Sequence, residues 1–489
     1  MADYQIRRCE RQLEGGIYPE THKALSTIDS CAFVDDPKRL VFPIHFSGGG
    51  PGEALVAVGD TVFQGTPIIK CRSGITHVAS RSGRVIEITD HAITHPSATK
   101  SASIIIEPNG LKDQNYLDPL VWPFDADTLR NRAIKAGILG LGGAGFPSFK
   151  KWSDGTQTLL INGAECEPYL TADDTLMRID THSMIRGACM LSQSLEIKTI
   201  IIGIEDNKPE ALEAIESALK ESRSDCFFDI VLLDTKYPSG SERHLVWLTL
   251  GIELPTGSRA VESGVIVHNP GTLAALSRAI DGKPITDRIV TLTGEALTSP
   301  QNVIVPIGTP ISHLIEAADT SPESLASIAV GGPMMGYPLT DFTAGITKTT
   351  NCLLAREIGI PPESPCIRCG ACATVCPVRL QPQQMVFALK GGSLDRAIHE
   401  GLTDCIECAA CNAVCPSHIP LAEWFRLGRF EARYKANDQR LAAEARERFE
   451  ARNLRLERIA LEKETKRAAR QARTADALEK ARKTRKESV

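Results

Sequence analysis

Short β-branched runs at 55–58, 67–71, 83–89 and 102–107, separated by Gly, Asp and Pro, predict strands in the first quarter of the chain. From 127 onward the period changes. Apolar positions recur every three to four residues over 127–136, 180–195 and 208–222, and short apolar runs at 158–162, 199–204 and 229–233 lie among them. Alternating strands and helices predict an α/β domain with a largely parallel sheet. Residues 286–340 return to strand character, with one helix over 311–318. Residues 341–365 read as a connector ending in IPPESP. The last 52 residues, 438–489, contain no Gly and no Pro, and their many i,i+4 opposite charges predict a long helix.

The 489 residues are enough for three or four domains, and 42% apolar with 24% charged residues excludes wholesale disorder. Aromatics are 5%, so the cores must rest on Val, Ile, Leu and Ala. The net charge of −5 hides an asymmetry: residues 438–489 hold 16 basic and 10 acidic side chains, the rest 39 and 50. An acidic body argues against general nucleic-acid binding. The start, MADYQIRRCERQLEGG, has no apolar h-region, and no run reaches the roughly 18 apolar residues of a membrane span. A reducing cytoplasm is therefore expected, with any membrane association peripheral.

Eight of the 15 cysteines fall in two runs, Cys366-x2-Cys369-x2-Cys372-x3-Cys376-Pro377 and Cys405-x2-Cys408-x2-Cys411-x3-Cys415-Pro416. This is the bacterial ferredoxin spacing for [4Fe–4S] clusters. Three thiolates two residues apart wrap one face of a cubane, and the fourth, before Pro, serves the other cluster. Cys366, Cys369, Cys372 and Cys415 are thus assigned to one cluster, and Cys405, Cys408, Cys411 and Cys376 to the second. Zinc knuckles would need four ligands in one closed set rather than eight interlocked ones. Twenty-eight residues separate Cys376 from Cys405, and LQPQQMVFALKGGSLDRAIHEG among them has helical character, which resembles an α-helical ferredoxin.

Two cubanes form a one-electron conduit and need a donor. The densest glycine run is Gly137-Ile-Leu-Gly140-Leu-Gly142-Gly143-Ala144-Gly145-Phe146. Amides without side chains can close around a phosphate or lie against a ring. The run follows a predicted helix rather than a strand, unlike a Rossmann fingerprint, and a structural turn is the alternative.

GLGGAGFPSFKKWS, LLINGAECEP, KYPSG and VHNPGT together resemble the flavin-carrying, NADH-binding subunit of respiratory complex I. That resemblance implies that Gly140, Gly142, Gly143, Ala144, Gly145 and Lys151 line a non-covalent FMN. Asn162 and Glu165 would meet its ring edge and ribityl chain, Phe146 and Glu167 would meet NAD(H), and Tyr237, Gly240 and Asn269 would close the pocket. Ala164 and Ser241 depart from that family's acidic residues, which weakens the nicotinamide assignment. ALVAVGDTVFQGTPIIK with SRSGRVIEI resembles a lipoyl/biotinyl-type barrel-sandwich hybrid without the carrier lysine. The order of GGIYPE, this segment, INGAECEPYLTADD, TLTGEAL, KTTNCLLA, CIRCGAC and CIECAAC resembles the RnfC (RsxC) family of the Rnf (Rsx) electron-transport complexes.

The expected organisation is a multidomain α/β plus β chain: an N-terminal segment (1–38), a barrel-sandwich hybrid (39–115) and a Rossmann-like FMN/NADH domain (116–285). A β-grasp, SLBB-like domain (286–345), a linker (346–365), a dicluster ferredoxin domain (366–432) and a charged helical tail (433–489) follow. The resemblance implies no acid/base catalyst, only hydride transfer from NADH to FMN and single electrons onward. It implies a subunit on the cytoplasmic face of the inner membrane, partnered by membrane, covalent-flavin and iron–sulfur Rnf subunits, in an ion-translocating ferredoxin:NAD oxidoreductase. Two other readings stay open: a soluble flavin/iron–sulfur reductase of the cobalamin-reductase type, and a docking subunit that kept only the clusters. Lys198 and Lys208 are expected in solvent, Cys166 and Cys352 in packing roles, and Trp424 and Phe425 in the helical core.

Overall fold

The computed structural model describes residues 2–27, 31–45, 48–222, 225–356 and 361–487, with side chains to 483. The chain divides into two compact units, Met1–Gln383 with Asp404–Ala422, and Gln384–Thr403 with Glu423–Val489. Residues 357–360 of the expected linker lie outside the described residues.

The first unit is built on a five-stranded parallel sheet in the order Asp3–Arg8, Phe227–Leu233, Thr199–Glu205, Thr158–Gly163, Val265–His268. Its inner strands are apolar on both faces because helices cover both, as in TIIIGIE, where all but the first residue is buried. Helices Ala172–Ile179, Thr181–Ser194, Pro209–Glu221, Glu242–Leu250 and Pro270–Ile280 supply that cover. All five strands end on the same edge, so the loops after Gly163, Glu205, Leu233 and His268 share one crevice. The edge strand Asp3–Arg8 comes from the N-terminal segment, 1–38. A second piece of that segment, Ala32–Phe33, joins another sheet beside Gln301–Pro306. Residues 1–38 are therefore shared between two domains, because each strand finds an unpaired sheet edge.

Leu40–Pro43, Lys100–Pro108, Gly83–Ala92 and Thr61–Val62 form one sheet, and Gly52–Ala54, Pro67–Cys71 and Thr76–Val78 face it as a second. The strand expected at 55–58 is not formed. Pairing occurs three residues earlier, and Asp60 turns the chain by accepting from the Ala57 N–H at 2.8 Å. Ile68, Ile69, Val85 and Ile104 of these sheets share one core with Leu129, Ile138, Ile161 and Ile202.

A six-stranded mixed sheet follows, ordered Tyr337–Leu339, Ile328–Val330, Cys352–Leu354, Asp287–Thr293, Gln301–Pro306, Ala32–Phe33, with helix Ile311–Ala317 against it. Cys352–Leu354 lies in the stretch expected to be linker. It is a central strand instead, and Cys352 is fully buried against Tyr169 and Leu170.

Lys208 is not in solvent. It is 2% exposed, and its Nζ meets Glu205 Oε2 at 2.5 Å beneath the crevice. Lys198 is exposed as expected. Truncating Glu205 to Ala would strand the Lys208 charge. Chemical denaturation is expected to show a loss of about 3–5 kcal/mol.

In the second unit the helix Leu421–Glu487 runs 67 residues, beginning well before the expected tail. Phe425 is buried and Lys390 lies over the Trp424 ring at 5.6 Å, so both aromatics pack within the unit. Gly428 leaves room for Leu389 and Leu402. Further along, Arg440–Glu444 and Arg446–Glu450 pair at i,i+4. Among the described residues no helix is long and apolar enough to cross a membrane.

Candidate functional site

The glycine run forms a closed loop at the crevice. The Gly140 N–H donates to Phe146 O at 2.8 Å and the Gly145 N–H to Gly140 O at 3.2 Å, while Leu139 and Pro147 pair across its base. The Leu141 N–H donates to Thr272 Oγ1 at 3.0 Å, which ties the loop to the first turn of Pro270–Ile280. Gly143 has φ +99° and Gly145 φ +61°, conformations that side-chain-bearing residues rarely take. A Cβ on Gly145 would stand 2.7 Å from Thr349 Cγ2, whereas one on Gly143 would meet nothing within 4 Å.

Among the described residues the N–H groups of Gly142, Gly143 and Ala144 make no hydrogen bond, and all three residues are exposed. Three consecutive free amides over open space suit a phosphate or the face of a ring. The loop thus fits FMN.

The strand end after Gly163 holds the next group. Asn162 Nδ2 donates to Gly240 O at 2.8 Å, and Asn162 Oδ1 accepts from the Ala164 N–H at 3.2 Å. Glu165 is 6% exposed, and its oxygens accept the N–H groups of Asp173 at 2.9 Å and Asp174 at 3.3 Å. It caps helix Ala172–Ile179 and meets its positive end. Asn269 lies beside the loop: a Cβ on Gly142 would be 3.5 Å from its side chain. Its Oδ1 accepts from the Gly271 N–H at 2.9 Å and its Nδ2 donates to Asp173 Oδ2 at 2.6 Å.

Other expected residues point elsewhere. Glu167 Oε1 accepts the N–H groups of Met334 and Met335 at 2.7 and 3.0 Å, which fastens it to the six-stranded-sheet domain. Lys151 Nζ is held by Glu242 Oε2 at 2.7 Å and Val267 O at 3.2 Å. Phe146 is half-buried, with the Arg259 guanidinium 6.0 Å from its ring centre. Gly240 is required by close approach, since a Cβ there would sit 2.3 Å from Ala164 O.

Tyr237 bridges to the cysteines. It is 2% exposed and its hydroxyl donates to Cys408 O at 2.6 Å. Tyr237, Cys408 and Ala410 form an apolar cluster with Cys166, Met334 and Val375 packed on it. The Cys166 Sγ accepts from the Gly240 N–H at 3.3 Å, and burial pushes its thiol up to about 12, so it is a packing group rather than a nucleophile.

The two cysteine runs fold as a repeat. Helices Ala371–Thr374 and Ala410–Ala413 occupy equivalent places. Arg368 and Glu407 share a positive φ of 58° and 59°, and so do Arg379 and His418 at 55° and 50°. In these turns amides aim at sulfur: Arg368 N to Cys366 Sγ at 3.4 Å, Leu380 N to Cys376 Sγ at 3.3 Å, and Glu407 N to Cys405 Sγ at 3.4 Å.

The thiols group across the repeats. Burial, then neighbours including Cys369 and Cys415, acts on Cys372. Burial, then Cys408, Cys405 and Cys376 ahead of Cys372, pushes Cys411 up. Among the described residues no donor set is tight enough for a single ion, whose ligands stand about 2 Å from one point. Cys372 with Cys369 and Cys415, and Cys411 with Cys408, Cys405 and Cys376, lie near enough to act on one another, which suits iron–sulfur groups. Cys376, Cys408 and Cys411 are buried, whereas Cys369 is exposed and its neighbour Ile367 is 68% exposed.

Four further residues shape the site: Thr272 and Asp173 lie in the VHNPGT and INGAECEPYLTADD phrases, while no quoted phrase contains Lys23 or Glu242. Lys23 Nζ donates to the carbonyls of Glu165, Glu167 and Leu170 at 2.7, 3.2 and 2.5 Å. Thr272 holds the loop, Asp173 holds Asn269 and Glu242 holds Lys151. Each acts across more than 80 residues, except Asp173 toward Glu165, and the TADD phrase following AECEP was its only local signal.

A parallel α/β sheet with an open glycine loop, together with two cysteine runs of ferredoxin spacing, fits a flavin and iron–sulfur groups. Family models match in three places: the RnfC barrel sandwich hybrid domain over residues 11–111, the Nuo51 FMN-binding domain over 134–278, and the 4Fe-4S dicluster domain over 364–419. Together they match an RnfC subunit with a complex I 51K-like flavin domain. Solved structures with similarity include a NAD+-reducing [NiFe]-hydrogenase in the H2-reduced state, at 17% identity and TM-score 0.46, covering 62% of this chain and 61% of that one. The air-oxidised state matches at 17% identity and TM-score 0.41, covering 57% and 53%. The chain thus spans less than two thirds of the length of either.

Proposed function

We propose that this chain is the NADH-linked flavin and iron–sulfur subunit of a membrane-bound, Rnf-type complex that couples electron flow between NAD(H) and ferredoxin to ion translocation. The observations that carry the redox part are the free amides of Gly142, Gly143 and Ala144, and the link from the strand end at Asn162 to Gly240, three residues beyond the Tyr237 whose hydroxyl donates to Cys408 O. The matched barrel-sandwich domain supports the Rnf assignment. FMN, when bound, would take the hydride pair from NADH and release electrons singly to the clusters. Gly140, Gly142, Gly143, Ala144, Gly145, Asn162 and Asn269 are the residues proposed to hold it. Lys151 and Glu165 are proposed to support the pocket from below, because other protein groups already occupy their polar atoms.

The rest of the work is positioning. Lys23 fixes three carbonyls of the loop after Gly163, so the crevice floor is rigid. Tyr237 excludes water between pocket and thiols. Cys376, Cys405, Cys408 and Cys411 are proposed as the pocket-side quartet, and Cys366, Cys369, Cys372 and Cys415 as the exit quartet, whose exposed Cys369 and Ile367 suit contact with an acceptor protein. The chain would sit on the cytoplasmic face of the inner membrane through its partners.

The test is cofactor content and NADH turnover of the purified chain after anaerobic reconstitution. Absence of FMN with no NADH-driven reduction of an artificial acceptor would overturn the flavin reading. Failure to co-purify with membranes or the other subunits would overturn the complex. Tyr237→Phe, which loses one hydrogen bond, is expected to cost about 1 kcal/mol in thermal unfolding and to slow iron–sulfur reduction less than tenfold in stopped-flow traces, with FMN content unchanged.

A further inference from the structure

The phrase GGIYPE forms a strap that the flavin site itself does not use. Gly15 and Gly16 have φ +62° and +73°, and both lie hard against backbone. A Cβ on Gly15 would stand 2.6 Å from Cys376 O, and one on Gly16 would stand 2.6 Å from Tyr237 O. The Gly16 N–H donates to Val375 O at 2.8 Å. Ile17 then pairs with Tyr237 in both directions, at 2.9 and 3.0 Å. The strap is anchored just upstream as well: Lys236 Nζ donates to Leu13 O at 2.7 Å, and Glu14 pairs with Arg379.

The turn that Gly15 touches carries a cluster ligand. Cys376 O accepts the Arg379 N–H at 3.1 Å, and the same turn brings the Leu380 N–H to Cys376 Sγ at 3.3 Å. His244 Nε2, from helix Glu242–Leu250, donates to Pro377 O at 3.3 Å. The equivalent turn of the second run is fastened differently. Cys415 O accepts the His418 N–H at 3.1 Å, as in the first run. Its holding contacts come from the chain just before Cys366: the Ser364 N–H donates to Ser417 O at 2.8 Å, and Ser417 Oγ to Pro365 O at 2.9 Å. The repeat is symmetric in its turns and asymmetric in what holds them. The strap reaches Val375, next to Cys376, and Tyr237 reaches Cys408, and both cysteines belong to the proposed pocket-side quartet.

We propose that the Gly15-Gly16 strap positions the turn at Cys376 and thereby sets the reduction potential of the pocket-side cluster alone. The inference rests on the quartet assignment above. Reduction adds one electron to a cluster, with no bond made or broken, and an N–H aimed at a ligand sulfur stabilises the added negative charge. The atoms nearest a Cβ on Gly15 are Cys376 O, Cys376 C and Pro377 Cα, all backbone, so a side chain there must move the turn. The Leu380 amide then leaves the sulfur. Loss of a hydrogen bond to a charged group is expected to disfavour reduction about tenfold, a fall of about 59 mV for one electron.

The test is a redox titration of the full, iron-loaded chain carrying Gly15→Ala, followed by electron paramagnetic resonance. It is read in two backgrounds: Cys369→Ala, which is expected to keep the pocket-side cluster, and Cys411→Ala, which is expected to keep the other. The midpoint is expected to fall by that amount in the first and to stay in place in the second. Gly110→Ala, at φ +71° with nothing within 4 Å, controls for backbone strain and is expected to move neither. If Gly15→Ala holds no iron in the first background, Gly16→Ala is read in the same way, because its Cβ would press on Tyr237 O and lift the strap. No shift, a rise, or an equal shift in both backgrounds overturns the proposal. Failure of both glycine variants to hold iron there also overturns it, since the strap would then serve assembly rather than potential. If the cysteine variants do not each keep about four irons, the quartet assignment itself fails.

Discussion

Replacing Gly143 by tryptophan is expected to abolish FMN binding while leaving about eight iron atoms per chain. Gly143 has φ +99°, and a Cβ there would meet nothing within 4 Å. The indole would fill the space that the free amides face. The backbone strain of an L-residue there is about 1–2 kcal/mol, too little to unfold a chain of this size. Gly155→Trp separates the two effects, because Gly155 has φ +83°, is equally open and lies away from the loop. Flavin absorbance and iron assay give the answer. Gly143→Trp is expected to keep less than a tenth of the flavin, and Gly155→Trp all of it. Equal loss in both would mean that strain, not occupancy, removed the cofactor. Loss of iron with the flavin would mean that the cysteine repeat does not hold its metal independently.

The second large effect separates the two quartets. Cys411→Ala and Cys369→Ala are each expected to lose about four of the eight irons. Their consequences are expected to differ, because the quartets are not equivalent. Cys411 is 9% exposed, in the quartet proposed to include Cys408, whose carbonyl receives the Tyr237 hydroxyl, while Cys369, assigned to the other quartet, is exposed. NADH should still reduce the iron remaining in Cys369→Ala. In Cys411→Ala the remaining iron should be reducible by dithionite but not by NADH on the turnover timescale. Low-temperature electron paramagnetic resonance of the two variants distinguishes the cases. The reverse pattern would overturn the assigned order.

The cysteine runs were legible as a structural repeat because turn geometry is a local property. A loop of two or three residues sets each sulfur, and the same turn recurs at Arg368 and Glu407. The glycine loop was legible for a similar reason, since free amides and positive φ need residues without side chains. The parallel sheet was legible from the doubly buried strands. Other features were not. The strands Asp3–Arg8 and Ala32–Phe33 have weak patterns, because an edge strand is stabilised by the neighbour it finds rather than by its own burial. Lys208 looked like a surface lysine until Glu205, three residues earlier, proved to be buried with it. Glu167 looked like a nicotinamide contact, but the amides of Met334 and Met335 take its carboxylate.

The sequence by itself determined the parts: eight thiols in ferredoxin spacing, a glycine loop, alternating strands and helices, and a charged helical end. Each depends on neighbours within a few residues, where chain connectivity fixes geometry. Only the tertiary structure decided how those parts meet. It set Tyr237 against Cys408, Asn269 against Gly142 and Asp173, and Lys23 under the crevice. Those contacts span tens to hundreds of residues, and their chemistry comes from burial and hydrogen-bond pairing, which exist only once the chain has folded.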